Sequence, residues 1–273
     1  VDDPKIITGR ADTGLKTTMP RFLKIIYEYF ALYSSLTLLG LICLTWSVFA
    51  LPLYFILPAR LGTAVGRRGI MAGFRIYSWS LSITGTYRLD LKAIDALKGG
   101  PPVILAPNHP ALIDALLILT RHPNLVCVMK SALMKNVFLG SGSRLARYVR
   151  NDSSRQMVKE SVAHLQAGGV LLLFPEGTRT TRFPINPLVG SVGLIAKHAN
   201  VPVQTLIIET DSPFLSKGWP LFKRPELPIT YKVRLGQRFD PPKDVPAFTA
   251  ELDRYYRQAL QGAPQSRWLK HGS

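Results

Sequence analysis

Asn108-His109-Pro110-Ala111-Leu112-Ile113-Asp114 lies between two apolar runs, Val103-Ile104-Leu105-Ala106 before it and Ala115-Leu116-Leu117-Ile118-Leu119 after it. The first run reads as a buried strand and the second as a helix. The polar residues therefore fall at a strand-to-helix junction, where α/β folds present reactive groups. Pro110 suits the first turn of that helix, where a missing N–H costs nothing. His109 precedes Asp114 by five positions, and that spacing does not stack two side chains on one helical face as three or four would. The two meet only if His109 stays in the loop and leans over the first turn. In an apolar setting a carboxylate that accepts one imidazole N–H fixes the tautomer and leaves the other nitrogen to take a proton from a hydroxyl. A histidine satisfied by a helix N-terminus is the other reading open at this point.

Outward from this stretch the pattern alternates. Strands are expected at 86–91, 102–106, 125–129, 147–150, 170–174, 203–208 and 229–235, with helices at 111–121, 153–167, 189–199 and 247–260. Seven strands interleaved with helices predict an α/β fold, a mainly seven-stranded mixed sheet flanked by helices. Ser153 or Ser154 would cap the second helix and Gly168-Gly169 would end it. Residues 211–228, with Pro213, Gly218, Pro220, Pro225 and Pro228, read as a long loop. Its Phe214, Trp219, Leu221 and Phe222 suit either ordinary packing or contact with a lipid chain. A short basic tail with Lys270 and His271 follows the last helix.

Upstream, residues 1–20 are polar and aperiodic and read as a loose arm. Residues 29–59 contain no charge, a stretch longer than the ~20 apolar residues that span a bilayer. It also exceeds the ~7–15 residues of a signal-peptide core and lacks a clear small-x-small cleavage site. A membrane segment or an exceptionally buried helix remains. Lys16, Arg21 and Lys24 precede the run, and Arg60, Arg67 and Arg68 follow it, so charge does not select an orientation. Basic flanks on both sides suit a segment that enters and leaves one leaflet, with Pro52 and Pro58 ending or bending its helices. Tyr27, Tyr29, Tyr33, Trp46 and Tyr54 are rings of the kind found at membrane interfaces. In a helix over 60–83, Arg60, Arg67, Arg68 and Arg75 fall within an arc of roughly 100°. That arc is either a solvated face or a lipid-phosphate face. The chain thus divides into 1–84, an arm with membrane-associating helices, and 85–273, an α/β domain.

Thirty-four Lys and Arg against 17 Asp and Glu give the 273-residue chain a formal net charge of +17, which favours anionic partners. The charge is dispersed and no helix-turn-helix, KH or RNA-recognition signature accompanies it, which speaks against nucleic acid. Two cysteines, Cys43 and Cys127, both in apolar surroundings, make neither a disulfide framework nor a thiolate zinc site. No G-x-S-x-G elbow, Walker A loop or H-E-x-x-H pair occurs.

A second polar stretch, Phe174-Pro175-Glu176-Gly177-Thr178-Arg179-Thr180, follows the apolar run Val170 to Leu173. Pro175 and Gly177 force a turn at a strand end, and Gly177 lets backbone N–H groups approach an anion. Arg179 offers a planar fork suited to phosphate, and Glu176 can orient it or bind a hydroxyl. A simple Glu–Arg pair in a turn is the alternative.

Together the two stretches resemble the glycerolipid acyltransferases typified by bacterial 1-acylglycerol-3-phosphate acyltransferase, whose pattern is N-H-x-x-x-x-D followed by F-P-E-G-T-R-S. Thr180 stands in place of the usual serine and keeps the hydroxyl. The resemblance spans about residues 85–240. It implies that His109 is the general base on an acceptor hydroxyl, oriented by Asp114. It further implies that Glu176, Gly177, Thr178 and Arg179, with Arg150 from the middle motif, hold the acceptor's phosphate. In another register Asn151 takes the middle-motif place. Thr205 replaces the second proline of the family's V-P-x-x-P-V pattern. The implied reaction moves a fatty acyl group from acyl-CoA or acyl carrier protein to a lysophospholipid, most simply lysophosphatidate, with no metal or redox cofactor. The implied location is the bacterial inner membrane, with the α/β domain facing the cytoplasm. Within the family an unusual acceptor, an aminolipid or polyene conjugate, is a second reading. A basic membrane-binding protein without catalysis is a third.

Overall fold

The computed structural model describes residues 20–271, so the arm read over 1–20 lies outside the described residues except for Pro20. In chain order the elements are α1 (Arg21–Ile56), α2 (Ala59–Ile83), β1 (Tyr87–Asp90), β2 (Val103–Pro107), α3 (Asp114–Leu119), β3 (Leu125–Met129), α4 (Ser131–Met134), α5 (Gly140–Leu145) and β4 (Val149–Arg150). They continue as α6 (Ser154–Gln166), β5 (Val170–Leu172), β6 (Arg182–Phe183), α7 (Ser191–Ala199), β7 (Val203–Thr210), β8 (Ile229–Phe239), α8 (Val245–Ala259) and β9 (Lys270–His271).

Seven strands form one mixed sheet in the order β1-β8-β7-β2-β5-β3-β4. Strands β2, β3, β4, β5 and β7 run parallel to one another, β8 runs antiparallel to β7, and β1 is parallel to β8. Every residue of β2 and β5 is buried, as expected of parallel strands covered on both faces, which is why both read as unbroken apolar runs. Strands β2 and β5 are neighbours, yet the connection from β2 runs toward β3 while that from β5 runs toward β7. Connections leaving adjacent parallel strands in opposite directions open a crevice beyond their C-terminal ends. His109 and Glu176 follow those two ends.

Right-handed crossovers put α3, α4 and α5 on one face and α6 and α7 on the other. Accordingly α6 packs on α7 and α7 on α8, while α2 packs on α3 and α5. Helices α1 and α2 form an antiparallel hairpin that breaks at Leu57 and Pro58. The Tyr27 hydroxyl donates to Thr84 O at 2.7 Å, tying the start of α1 to the end of α2. Closer to the hairpin turn the Trp46 indole fills a slot between α2 and α5. A Cβ on Gly69 would fall 2.2 Å from the ring and one on Gly142 2.7 Å from it. At Gly66 a Cβ would lie 2.5 Å from Ala146 N, so only glycine lets α2 approach that close.

Several expectations are corrected. Pro110 is not in the first turn of a helix, because α3 begins four residues later, at Asp114, and ends at Leu119. Pro52 lies inside α1 without ending it, whereas Pro58 marks the break. The strand expected over 147–150 shrinks to Val149–Arg150 because Arg147 adopts φ +54°, which is incompatible with extended pairing. Helices α4 and α5 occupy a stretch with no helical pattern; Gly140-Ser141-Gly142 is a poor helix former and holds there through packing on α1 and α2. Strand β8 runs on to Phe239, with a register shift opposite Gln204 and Leu206. There the Thr205 hydroxyl donates to Gln237 O at 2.7 Å. Lys270–His271, read as tail, pairs in parallel with Arg182–Phe183. Of the arginine arc on α2, Arg67 points inward, its Nε donating to Ala146 O at 3.2 Å and its Nη1 to Asn124 Oδ1. Ser153 caps α6 as expected, accepting Gln156 N–H at 3.3 Å.

Candidate active site

Asn108 follows the last residue of β2 and extends its ladder by side chain: Nδ2 donates to Ile208 O at 2.9 Å and Oδ1 accepts Ile208 N–H at 2.7 Å. The amide thus holds the chain straight to His109, where it leaves the sheet. The main chain of His109 is then gripped by the second polar stretch. Its N–H donates to Glu176 Oε1 at 2.9 Å, and its carbonyl accepts Thr180 N–H at 2.7 Å.

The imidazole stacks on Phe174, with centroids 3.8 Å apart and planes at 20°. Its Nδ1 lies 2.7 Å from Asp114 Oδ2, so the pair five residues apart does meet, with His109 in the loop and Asp114 as the first helical residue. The same carboxylate oxygen accepts Ala111 N–H at 3.0 Å, and Oδ1 accepts the Tyr231 hydroxyl. When Asp114 is ionised it only accepts, so Nδ1–H is the donor of this bond and, in the neutral ring, the lone pair is on Nε2. Asp114 is fully buried while the His109 side chain is 15 % exposed, so the histidine is the reachable member of the pair. Burial pushes the Asp114 carboxyl up, opposed by the His109 and Ala111 hydrogen bonds and the Arg179 charge.

Glu176 has no free oxygen. Oε1 also accepts the Thr180 hydroxyl at 2.7 Å and Oε2 accepts Asn186 N–H at 3.0 Å. Burial pushes this carboxyl up as well, against the pull of those donors. Gly177 takes φ +65°, and its N–H donates to Phe174 O at 3.1 Å, closing the turn that Pro175 and Gly177 suggested. Thr178 is half-buried and makes no hydrogen bond among the described residues. Arg179 Nη1 donates to Leu215 O and Ser216 O, both at 2.9 Å, so part of the guanidinium holds the loop over 211–228. Leu215 sits at φ +61°, and its carbonyl also accepts Leu112 N–H at 2.9 Å, which fastens that loop to both polar stretches.

The fold therefore brings His109, Asp114, Glu176, Gly177, Thr178 and Arg179 to one crevice. Arg150 stands apart: it ends β4, three strand spacings of ~4.8 Å from β2, is exposed, and lies 3.6 Å from Asp152. Four contributors had no signal in the sequence reading: Asn108 as ladder extension, Phe174 as stacking partner, Asn186 and Tyr231. Among the described residues no group of three His, Cys, Asp or Glu is placed to hold a metal ion.

Residues 88–209 match the family model described as Acyltransferase. No curated protein matches by sequence. A similar solved structure is that of the 1-acyl-sn-glycerophosphate (LPA) acyltransferase PlsC from Thermotoga maritima, with a TM-score of 0.64 and 18 % identity over 92 % of this chain and 100 % of that one. At that identity the likeness is one of fold.

Proposed function

We propose that this chain, which carries an acyltransferase-family domain over residues 88–209, moves a fatty acyl group from a thioester carrier to the hydroxyl of a lysophospholipid, lysophosphatidate being the simplest acceptor. One observation carries the reading: a histidine whose Nδ1 is held by a buried carboxylate, and whose side chain stays partly exposed, stands at a switch-point crevice. His109 Nε2 takes the acceptor's hydroxyl proton as that oxygen attacks the thioester carbonyl. The C–S bond then breaks, and the imidazolium returns the proton to the departing thiolate. Asp114 keeps the ring oriented and balances its charge in the charged intermediate.

The acceptor's phosphate is read onto the turn at 177–179, where Arg179 is the charged donor. Glu176, with both oxygens committed inside the protein, acts by holding the two polar stretches together. Arg150, at the far edge of the same sheet end, fits the outer part of a long acceptor or the donor's phosphates. Acyl-CoA and acyl carrier protein both suit a chain of net charge +17.

Membrane association is part of the same reading. Helix α1 is 36 residues long, and its most apolar window has a mean hydropathy of 2.1 with only 17 % of it buried. Phe22, Phe30, Phe49, Phe55 and Ile56 are each at least 60 % exposed, a surface that water disfavours and a bilayer accepts. A hairpin entering and leaving one leaflet, on the cytoplasmic side of a bacterial inner membrane, would set the 85–273 domain beside its lipid acceptor.

The test is thioester release by the full chain in detergent or liposomes, with lysophosphatidate, an aminolipid and a polyene conjugate as acceptors and acyl-CoA or acyl carrier protein as donor. Release that requires lysophosphatidate and vanishes in His109→Ala is expected. A preference for a phosphate-free acceptor would transfer the reading to an unusual lipid, and no release with any pair would favour a membrane-binding protein without catalysis.

A further inference from the structure

Strand β8, second from one edge of the sheet, contributes Tyr231, a fully buried tyrosine. Its neighbours across the ladders are Leu89 on β1 and Thr210 on β7, so its backbone is held by pairing on both sides. Its hydroxyl donates to Asp114 Oδ1, the carboxylate oxygen that His109 does not use. Asp114 is thereby surrounded by three donors from three places: the His109 ring, the Ala111 N–H and the Tyr231 hydroxyl. Donors on Oδ2 alone would leave the carboxylate free to turn about its Cβ–Cγ bond. A donor on Oδ1 removes that freedom and so sets the direction in which Oδ2 faces Nδ1.

We propose that Tyr231 is a positioning residue for the His109–Asp114 pair, acting through the far oxygen of Asp114 to hold the histidine in the orientation that acyl transfer needs. The inference rests on the acyl-transfer reading given above. A buried tyrosine needs an acceptor in any case, and a backbone carbonyl serves that need elsewhere in the same core: the Tyr256 hydroxyl donates to Ala106 O. Tyr231 instead spends its proton on the carboxylate that holds the His109 ring.

Charge follows the same geometry. The tyrosine proton draws carboxylate charge toward Oδ1. Without it more charge stays on Oδ2, beside Nδ1–H, and the pair holds its extra proton to higher pH. The other ionisable groups facing this cluster are Arg179 from the turn after β5 and Tyr87 from β1, both acting on Asp114. Glu176 acts on the main chain of His109, and Tyr256 from α8 acts on Glu176. None of these donates to Oδ1, so the effect of removing one hydroxyl is specific to Tyr231.

The experiment is a pH profile of kcat and kcat/KM for wild type, Tyr231→Phe and His109→Ala, with acyl-CoA and lysophosphatidate presented in liposomes. For Tyr231→Phe a fall in kcat of about tenfold is expected, with acceptor KM nearly unchanged and the acidic limb of kcat/KM moved upward by about half a pH unit. Wild-type kcat, or a loss of kcat with an unmoved limb, overturns the proposal and makes Tyr231 a packing residue. Should Tyr231→Phe fail to fold, 3-fluorotyrosine installed at position 231 keeps the ring and strengthens the donor. The acidic limb must then move downward, and an unmoved limb overturns the proposal equally. Full turnover by His109→Ala would instead remove the general-base role of His109 on which the inference stands.

Discussion

Glu176 Oε1 accepts the main-chain N–H of His109 at 2.9 Å across a separation of 67 residues, so the two polar turns of the crevice are one hydrogen-bonded unit. The carboxylate needs both oxygens as acceptors, one for His109 N–H and the Thr180 hydroxyl, the other for Asn186 N–H.

Glu176→Gln should therefore disrupt the site although it is nearly isosteric. Its amide offers one acceptor and one donor, and either orientation sets an NH₂ against a buried N–H. The unpaired groups should lower stability by ~1–3 kcal/mol. Turnover should fall more than acceptor affinity, because the misplaced residue is His109. Denaturant unfolding together with acceptor titrations tests this, and an acceptor KM that rises while kcat holds would return Glu176 to direct substrate binding.

Arg179→Ala should raise acceptor KM and lower kcat together. The substitution removes the charged donor of the turn, and it also releases Leu215 and Ser216, whose carbonyls Nη1 holds at 2.9 Å. Arg179→Lys should not restore both functions, since an ammonium lacks the planar fork. Steady-state kinetics with varied acceptor and faster proteolysis within 211–228 are the measurements; wild-type cleavage of that loop would show that Arg179 does not fasten it.

Glu28 on α1 is 1 % exposed and accepts Leu227 N–H at 3.2 Å and the Arg224 guanidinium. Lys24, one helical turn away, is 3.7 Å from it. Removing Arg224 strands a buried carboxylate, so Arg224→Ala should cost about 2–4 kcal/mol and loosen the loop from α1. The double variant E28Q/R224M should recover most of that loss, because the glutamine still accepts Leu227 N–H and no charge remains buried. A double variant as unstable as R224A would mean that packing, not charge, makes this contact.

His164 on α6 lies with Nε2 3.2 Å from Val170 O, and burial pushes its pKa down from 6.5 to about 4, with the Arg67 charge adding to the effect. The folded ring stays neutral down to about pH 4, while the unfolded chain binds a proton below 6.5. Its contribution is complete above pH 6.5 and is lost as pH falls to about 4, on the order of 3 kcal/mol in all. Asp114 and Glu176 act oppositely: burial raises both, so the folded state holds their protons to higher pH and their contribution weakens as pH rises. Comparing wild type with His164→Gln, which keeps a donor for Val170 O without titrating, isolates the histidine. Equal pH slopes for the two proteins would refute its role.

Fully buried parallel strands have no polar face to interleave, so β2 and β5 could be read directly as runs such as Val170-Leu171-Leu172. The two polar stretches were equally legible, because strand ends in such a sheet are where polar residues interrupt apolar ones. Helix α5 was not, since Gly140 and Gly142 weaken any local helix signal and earn their place only against Met134 and Trp46. Nor was β9, whose two residues have a strand partner only because Arg182–Phe183 passes beside them.

By itself the sequence determined the seven strands of the main sheet, the apolar hairpin and the five-residue spacing that brings His109 and Asp114 together, for these depend on contacts between near neighbours. The tertiary structure alone decided what each polar atom of the crevice does. It bonded Glu176 to the main chain of His109, gave Arg179 a loop to hold, set Arg150 at the far edge of the sheet, and brought Tyr231 to Asp114 from 117 residues away. The reason is physical: a hydrogen bond is decided by which donor arrives within 3 Å in the folded chain, and separation along the chain carries no information about that arrival.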